Sequence, residues 1–218
     1  MNDRHVFGQV FPVYAAIASF VFLVVCGLLV FAIVHYRSGR GHEPSKKSEH
    51  TKIESMYVGL VAVIAIFLAI FAARENLTEQ TPIGHPTLHV VITGYQWCWE
   101  FHYVGTPVTV RSTCVHSKPT LVVPTGEVVG FALTSLDVIH EWWFPEARYK
   151  QEAFPHHYDR FQMRFTKTGE WTGRCDEFCG LYHDRMIFRV KAMTRTHFDA
   201  WLSRQIHKAS SSRLVQAT

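Results

Sequence analysis

CDEFCGLYHDRM, residues 175 to 186, gathers two thiols, an imidazole and a thioether into one turn-sized segment: Cys175, Cys179, His183 and Met186. A further histidine, His140, stands upstream in SLDVIHEWWFP. Soft sulfur and imidazole ligands select copper or zinc over magnesium or calcium, and a weak thioether ligand favours copper. A mononuclear electron-transfer copper site is complete with one Cys, two His and an axial Met, which leaves one thiolate here surplus. Two coppers bridged by two thiolates would use it. Each metal then takes one His, with Met186 and a backbone carbonyl of the intervening loop as weak axial contacts. Plainer readings exist for each residue alone: a zinc half-site or disulfide for the cysteines, a strand head in MIFRV for Met186. Five potential ligands at these spacings favour the metal. Spacings of four, four and three would also suit one face of a helix, but Gly180 and the strand-like residues on both sides predict a loop. Chemistry on a substrate needs an open coordination position. This inventory leaves none, so the site reads as an electron relay.

The spacing Cys, any, Glu, any, Cys, any three, His, any two, Met resembles the copper motif of subunit II of the haem-copper cytochrome c oxidases. That resemblance implies a binuclear CuA centre held by His140, Cys175, Glu177, Cys179, His183 and Met186, with Glu177 ligating through its carbonyl oxygen. The Glu177 carboxylate would then be free to reach a magnesium or manganese ion at the boundary with subunit I. The run GYQWCWEF, residues 94 to 101, sets Tyr95, Trp97, Trp99 and Phe101 at alternate positions, one face of a single strand and a natural barrel core. It also resembles the family's aromatic motif, with Tyr95 where His is usual and Cys98 where Tyr often stands. By that resemblance Trp97 is the exposed tryptophan through which electrons from cytochrome c reach the copper. Glu54, in KIESMY, matches the family's Glu at the mouth of a proton channel leading to subunit I, although a carboxylate is welcome at any helix start facing water. The function implied is the electron-accepting subunit of a proton-pumping terminal oxidase, whose subunit I carries haem and reduces oxygen to water. The alternatives are a copper-free quinol oxidase subunit II, against which the intact ligand set speaks, and a membrane-anchored copper-delivery protein of the thioredoxin-like type. In the latter family the His follows the cysteines, whereas His140 precedes them.

The whole chain agrees with this plan. Its 218 residues are 48% hydrophobic. Val10 to Val34 contains no charge, and neither does Met56 to Ala73, which Glu54 and Arg74 bracket. Both stretches meet the length criterion for a membrane span. The first is too long and lacks the small-residue cleavage site of a secretory signal, so it reads as retained. The connection between them carries Arg37, Arg40, Lys46, Lys47 and Lys52 against Arg4 alone in the amino-terminal arm, which places that connection in the cytoplasm. The expected location is a bacterial-type plasma (inner) membrane, with membrane lipid around two spans and the copper domain on the periplasmic, extracytoplasmic side.

After Leu77 the chain becomes a series of short β-rich runs broken by turns: TLHVVITGYQWCWEF, VTVRSTC, TLVVP, EVVGFALTS, FQMRF, GEWTGRC and MIFRVKAM. Such spacing predicts an all-β sandwich or Greek-key barrel, and the resemblance implies a cupredoxin-like one. The expected organisation is a two-helix transmembrane hairpin over 1–77, a cupredoxin-like domain over 78–195, and a carboxy-terminal segment over 196–218. In that last segment Thr196 opens a short amphipathic helix carrying Phe198, Trp201, Leu202 and Ile206, followed by a loose tail, ASSSRLVQAT. Cys26 reads as a packing residue in the first span. Cys98 and Cys114, on neighbouring β-runs, are equally compatible with a disulfide and with buried thiols. From residue 75 onward there are 15 Lys and Arg against 14 Asp and Glu. That is no acidic excess of the kind that steers a basic cytochrome c, and nucleic acid is not expected as a partner.

Overall fold

The computed structural model describes residues 3–37, 49–79, 81–112 and 117–216. The expectations for Arg40, Lys46, Lys47 and Cys114 lie outside the described residues. The chain divides into a helical unit, Val6–Glu79, and a β unit from Gln80 onward.

The helical unit is a pair, α1 (Asp3–His35) and α2 (Thr51–Glu79). Tyr14 Oη donates to the Leu68 carbonyl at 3.1 Å, and the Tyr14 and Phe71 rings lie 6.2 Å apart, which joins the start of α1 to the end of α2 as in an antiparallel hairpin. Most of their other apolar side chains are exposed, with Leu23 at 68% and Val63 at 65%. A helix that is apolar on every side is suited to an apolar surrounding. Both helices, over Phe7–His35 and Thr51–Leu77, are long and apolar enough to cross a membrane.

The β unit runs β1 (Leu88–Tyr95), β2 (Cys98–Tyr103), β3 (Thr109–Val110), β4 (Thr120–Pro124), β5 (Val128–Ser135), β6 (His140–Phe144), β7 (Tyr149–Ala153), β8 (Asp159–Arg164), β9 (Gly169–Cys175), β10 (Ile187–Met193) and α3 (Arg195–Gln216). These strands make a cupredoxin-like sandwich of two five-stranded sheets, ordered β3-β2-β1-β5-β8 and β4-β10-β9-β6-β7. Between them lie the inward residues of each alternating strand: Trp99 and Phe101 from β2, Trp142 and Phe144 from β6, Phe188 from β10, all with no exposure. Trp142 stacks on Phe188 with centroids 5.1 Å apart. Burying a large apolar side chain contributes roughly 1.5–3 kcal/mol, and these five are among the largest of the buried side chains between the sheets.

Three expectations change. GYQWCWEF is not one strand: Tyr95 pairs with Cys98, so Gln96 and Trp97 form the two-residue turn between β1 and β2. Trp99 and Phe101 keep the core face, while Trp97 leaves it. Secondly, β6 and β7 were not among the expected runs, because the adjacent Trp142 and Trp143 hide the alternation: Trp142 is buried and Trp143 lies on the outer face under two cations. Thirdly, the loose tail is helical as far as Gln216. Ser211 Oγ bonds back to the His207 carbonyl at 2.9 Å, so the serine satisfies itself within the helix, where its propensity penalty is only a few tenths of a kcal/mol. The apolar side of α3 packs as expected, with Phe198 at 2% exposure and Trp201, Leu202 and Ile206 partly buried against the core. Cys98 is held in a disulfide, whereas Cys26, Cys175 and Cys179 are free thiols.

Candidate metal centre

Three loops meet at one end of the sandwich: the turn between β1 and β2, the link from β5 to His140 at the head of β6, and the segment from β9 to β10. The last leaves β9 at Cys175, makes one 3-10 turn over His183–Arg185, and enters β10 at Ile187. It is a loop, as Gly180 foretold. Gly180 itself has φ +115°, a left-handed conformation that a side chain resists, and the Trp97 indole and Gln96 amide sit where its Cβ would point.

The two sulfurs face each other. Cys175 Sγ and Cys179 Sγ are 3.8 Å apart. An imidazole stands beside each: His140 Nδ1 at 3.8 Å from Cys175 Sγ, and His183 Nδ1 at 3.5 Å from Cys179 Sγ. A weak ligand also stands beside each. The Glu177 carbonyl is 3.3 Å from Cys175 Sγ, and Met186 Sδ is 3.8 Å from Cys179 Sγ. His140 and Met186 have no exposure and both cysteines only 3%. All six sequence-derived candidates of this site therefore converge, and the His140, Cys175 and Cys179 ligand atoms lie within 4.8 Å of one another, a group able to hold a metal ion. Met186 precedes β10 instead of heading it. The Glu177 side chain is exposed, so only its backbone oxygen turns inward. The donors are soft sulfur and imidazole, a set that fits copper.

Outer contacts hold the candidate ligands in place. Asp137 Oδ1 lies 2.8 Å from His140 Nε2, which leaves Nδ1 to the sulfur side, and the Asp137 carboxylate also accepts from the amides of Gln96 and Val138 at 2.7 Å each. Such carboxylate–imidazole pairs orient metal-binding histidines and set their tautomer. Gly94 is the room-maker: a Cβ there would stand 3.1 Å from both the His140 ring and Trp99. Gln96 Nε2 and Trp97 Nε1 both donate to the Cys179 carbonyl, at 2.7 and 3.1 Å. Trp97 is half-buried, narrower in its exposure than expected, and meets Tyr182 edge-on at 5.0 Å. Of these supports the aromatic motif marks Trp97; Gly94 and Tyr182 carry no signal, since closeness across strands is invisible in one chain.

Burial dominates the electrostatics. It raises the Cys175 thiol and pushes Cys179 up to about 12, with the neighbouring Cys175 adding to the latter. Burial also lowers His140, against the opposing pull of Asp137. For Asp137 burial pulls upward, but the Gln96 amide, the His140 ring and the Val138 amide together hold it below the usual carboxylate range. Without metal the thiols thus keep their protons at neutral pH, and a soft cation must displace them.

Glu54 belongs to the helical unit. It stands exposed in the first turn of α2, where its carboxylate accepts from the His50 amide at 3.2 Å, the back-bond of a helix start.

Comparison with known proteins gives the same picture. The family described as cytochrome c oxidase subunit II, periplasmic domain, matches residues 88–193. A probable cytochrome c oxidase subunit 2 of Streptomyces avermitilis is 29% identical, across 86% of this chain and 70% of that one. The cytochrome c oxidase subunit 2 of Cereibacter sphaeroides is 26% identical, across 89% of this chain and 73% of that one. Among solved structures, the periplasmic domain of subunit II of cytochrome oxidase from Bradyrhizobium japonicum superposes with a TM-score of 0.52 at 25% identity, covering 58% of this chain and 99% of that one. With fold, paired sulfur–imidazole geometry and relatives in agreement, the chain belongs to the cytochrome c oxidase subunit II family, a subunit of that oxidase.

Proposed function

We propose that this subunit accepts electrons from cytochrome c at a binuclear copper centre and hands them to haem in subunit I, where oxygen is reduced to water. The observation that carries this is the two-fold arrangement of donors: two sulfurs 3.8 Å apart, each with its own imidazole and its own weak ligand. One copper ion would leave half of that set idle. Bound there, a copper pair would supply one-electron redox chemistry with little change of shape. His140, Cys175, Glu177, Cys179, His183 and Met186 would hold it, and the buried sandwich would keep water out. Trp97 is the proposed point of arrival for electrons, since its indole N–H bonds the Cys179 carbonyl directly.

Family membership supports the remaining parts of the reading. The two helices would span the membrane with the copper domain on the extracytoplasmic side. The exposed Glu177 carboxylate would be available to a magnesium or manganese ion facing subunit I, and Glu54 would open the proton path. Phe178 and Leu181, 79% and 76% exposed beside the ligands, form an apolar tip suited to burial against another oxidase subunit. The test is to load the purified chain with copper and record metal content and the electron paramagnetic spectrum. Two coppers per chain with hyperfine coupling to both, lost in Cys175→Ser, is the expected result. One copper per chain, or zinc in its place, would refute the binuclear reading. Electron transfer from reduced cytochrome c should fall sharply in Trp97→Phe; an unchanged rate removes Trp97 from the path.

A further inference from the structure

Strand alternation sends His140, Trp142 and Phe144 of β6 inward, so Glu141 and Trp143 emerge on the outer face of the sheet. Register sets Trp143 opposite Lys150 of β7 on one side and Arg174 of β9 on the other. Lys150 crosses this face. Its Nζ lies 3.5 Å from Glu141 Oε2 and in direct contact with Asp176 Oδ2. The same ammonium stands 4.9 Å from the Trp143 ring centroid, and the Arg174 guanidinium 5.2 Å from it. Beneath them the Asp176 amide donates to the Glu141 carbonyl at 3.1 Å.

Each acid is the peptide neighbour of a ligand: Glu141 follows His140, and Asp176 follows Cys175. The ladder between β6 and β9 is short, with only Trp142↔Cys175 and Trp143↔Arg174 in register, and it ends at the cysteine. Past the last ladder pair a single backbone bond, Asp176 N–H to the Glu141 carbonyl, still joins the two segments, and Lys150 spans the same two residues from outside. We propose that Lys150 is a positioning residue of the metal centre, clamping the His140 strand to the Cys175 loop from outside and so setting the distance between those two ligands. The proposal rests on the copper reading for its consequence, but not for its geometry.

An exposed ion pair contributes little to stability. This one differs in that both carboxylates are largely covered, at 17% and 28% side-chain exposure, and share one cation. Removing Lys150 leaves two half-buried like charges facing each other across the gap they should close. A fixed cation beside a redox centre also stabilises an added electron, so its loss lowers the potential of a loaded centre.

The test uses the full-length chain in detergent, as parent, Lys150→Met and Lys150→Arg. Before metal is added, the rate at which a disulfide reagent such as DTNB modifies Cys175 and Cys179 should rise by roughly threefold to tenfold in Lys150→Met, at the lower end of contact-pair couplings, and stay at the parent rate in Lys150→Arg. After loading, chelator should strip copper faster from Lys150→Met and its potential should be lower, with Lys150→Arg restoring both. Thiol rates equal to the parent in Lys150→Met overturn the clamp. If the parent takes up no copper, the copper reading fails by itself and the thiol rates still decide the clamp. Should Lys150→Met not fold, Lys150→Met with Glu141→Gln removes the clamp without the repulsion, and the same rates apply.

Discussion

Asp137 shows how one side chain serves three structural tasks at once, orienting His140 while closing the Gln96 turn and the Val138 bend. Its removal in Asp137→Ala should weaken copper binding by about 10–100-fold, the usual cost of losing a ligand's outer partner, as read by chelator competition; an unchanged affinity would end its orienting role. The thiols make a second, pH-dependent prediction. Burial raises both, so at neutral pH two protons must leave as metal enters. Copper affinity should therefore fall by about tenfold per displaced proton for each unit of pH lowered, a slope approaching two in competition titrations. The metal-free chain carries the opposite sign at high pH. Between the ordinary thiol value of 9.0 and about 12, the unfolded chain has released the Cys179 proton while the folded one retains it, so stability declines as pH rises. Denaturant unfolding of Cys179→Ser should show a flatter alkaline decline. His140, Cys175, Cys179, His183 and Met186 were legible because spacing alone names soft ligands. Gly94 was not, because its reason lies in a ring that approaches from another strand.

Among the elements, α3 and the β1–β2 turn illustrate the two ways in which local pattern meets tertiary context. The apolar stripe of α3 was readable from its period, and Phe198 docks where that stripe requires, beside Tyr103 and Trp201. Phe198→Ala should cost about 3–5 kcal/mol of stability in the β unit, measured by denaturant unfolding, while leaving the copper spectrum of the folded protein unchanged. In GYQWCWEF the alternating aromatics read equally well as one strand, and only the pairing of Tyr95 with Cys98 reveals the turn. That turn matters to the site: it lifts Trp97 out of the core and sets its indole on the Cys179 carbonyl. The strands β6 and β7 escaped notice for a related reason, since Trp143 faces outward beneath Lys150 and Arg174, where its ring is satisfied by cations instead of a core.

At the scale of the molecule, the chain links a unit of two apolar helices to a β-sandwich unit, and the two make different demands of the solvent. A chain from residue 80 onward should be soluble without detergent and bind copper with the full chain's stoichiometry; aggregation of that fragment, or loss of its copper, would mean that the helical unit completes the site. From residue 80 onward there are 15 Lys and Arg against 12 Asp and Glu, so electron transfer from a basic cytochrome c should not fall steeply with added salt, since there is no net acidic field to screen. A steep salt dependence would reveal a local acidic face. The sequence by itself determined the candidate metal ligands, the two apolar helices and the β-rich character of the rest, because donor chemistry, hydropathy and strand composition are local properties of the residues. Only the tertiary structure decided which atoms meet: that each sulfur of CDEFCGLYHDRM has its own imidazole, that Asp137 turns His140 toward Cys175, that Trp97 sits on a turn, and that Lys150 braces the loop. Those facts depend on strand pairing and on close approach between segments far apart in the chain, which local composition does not encode.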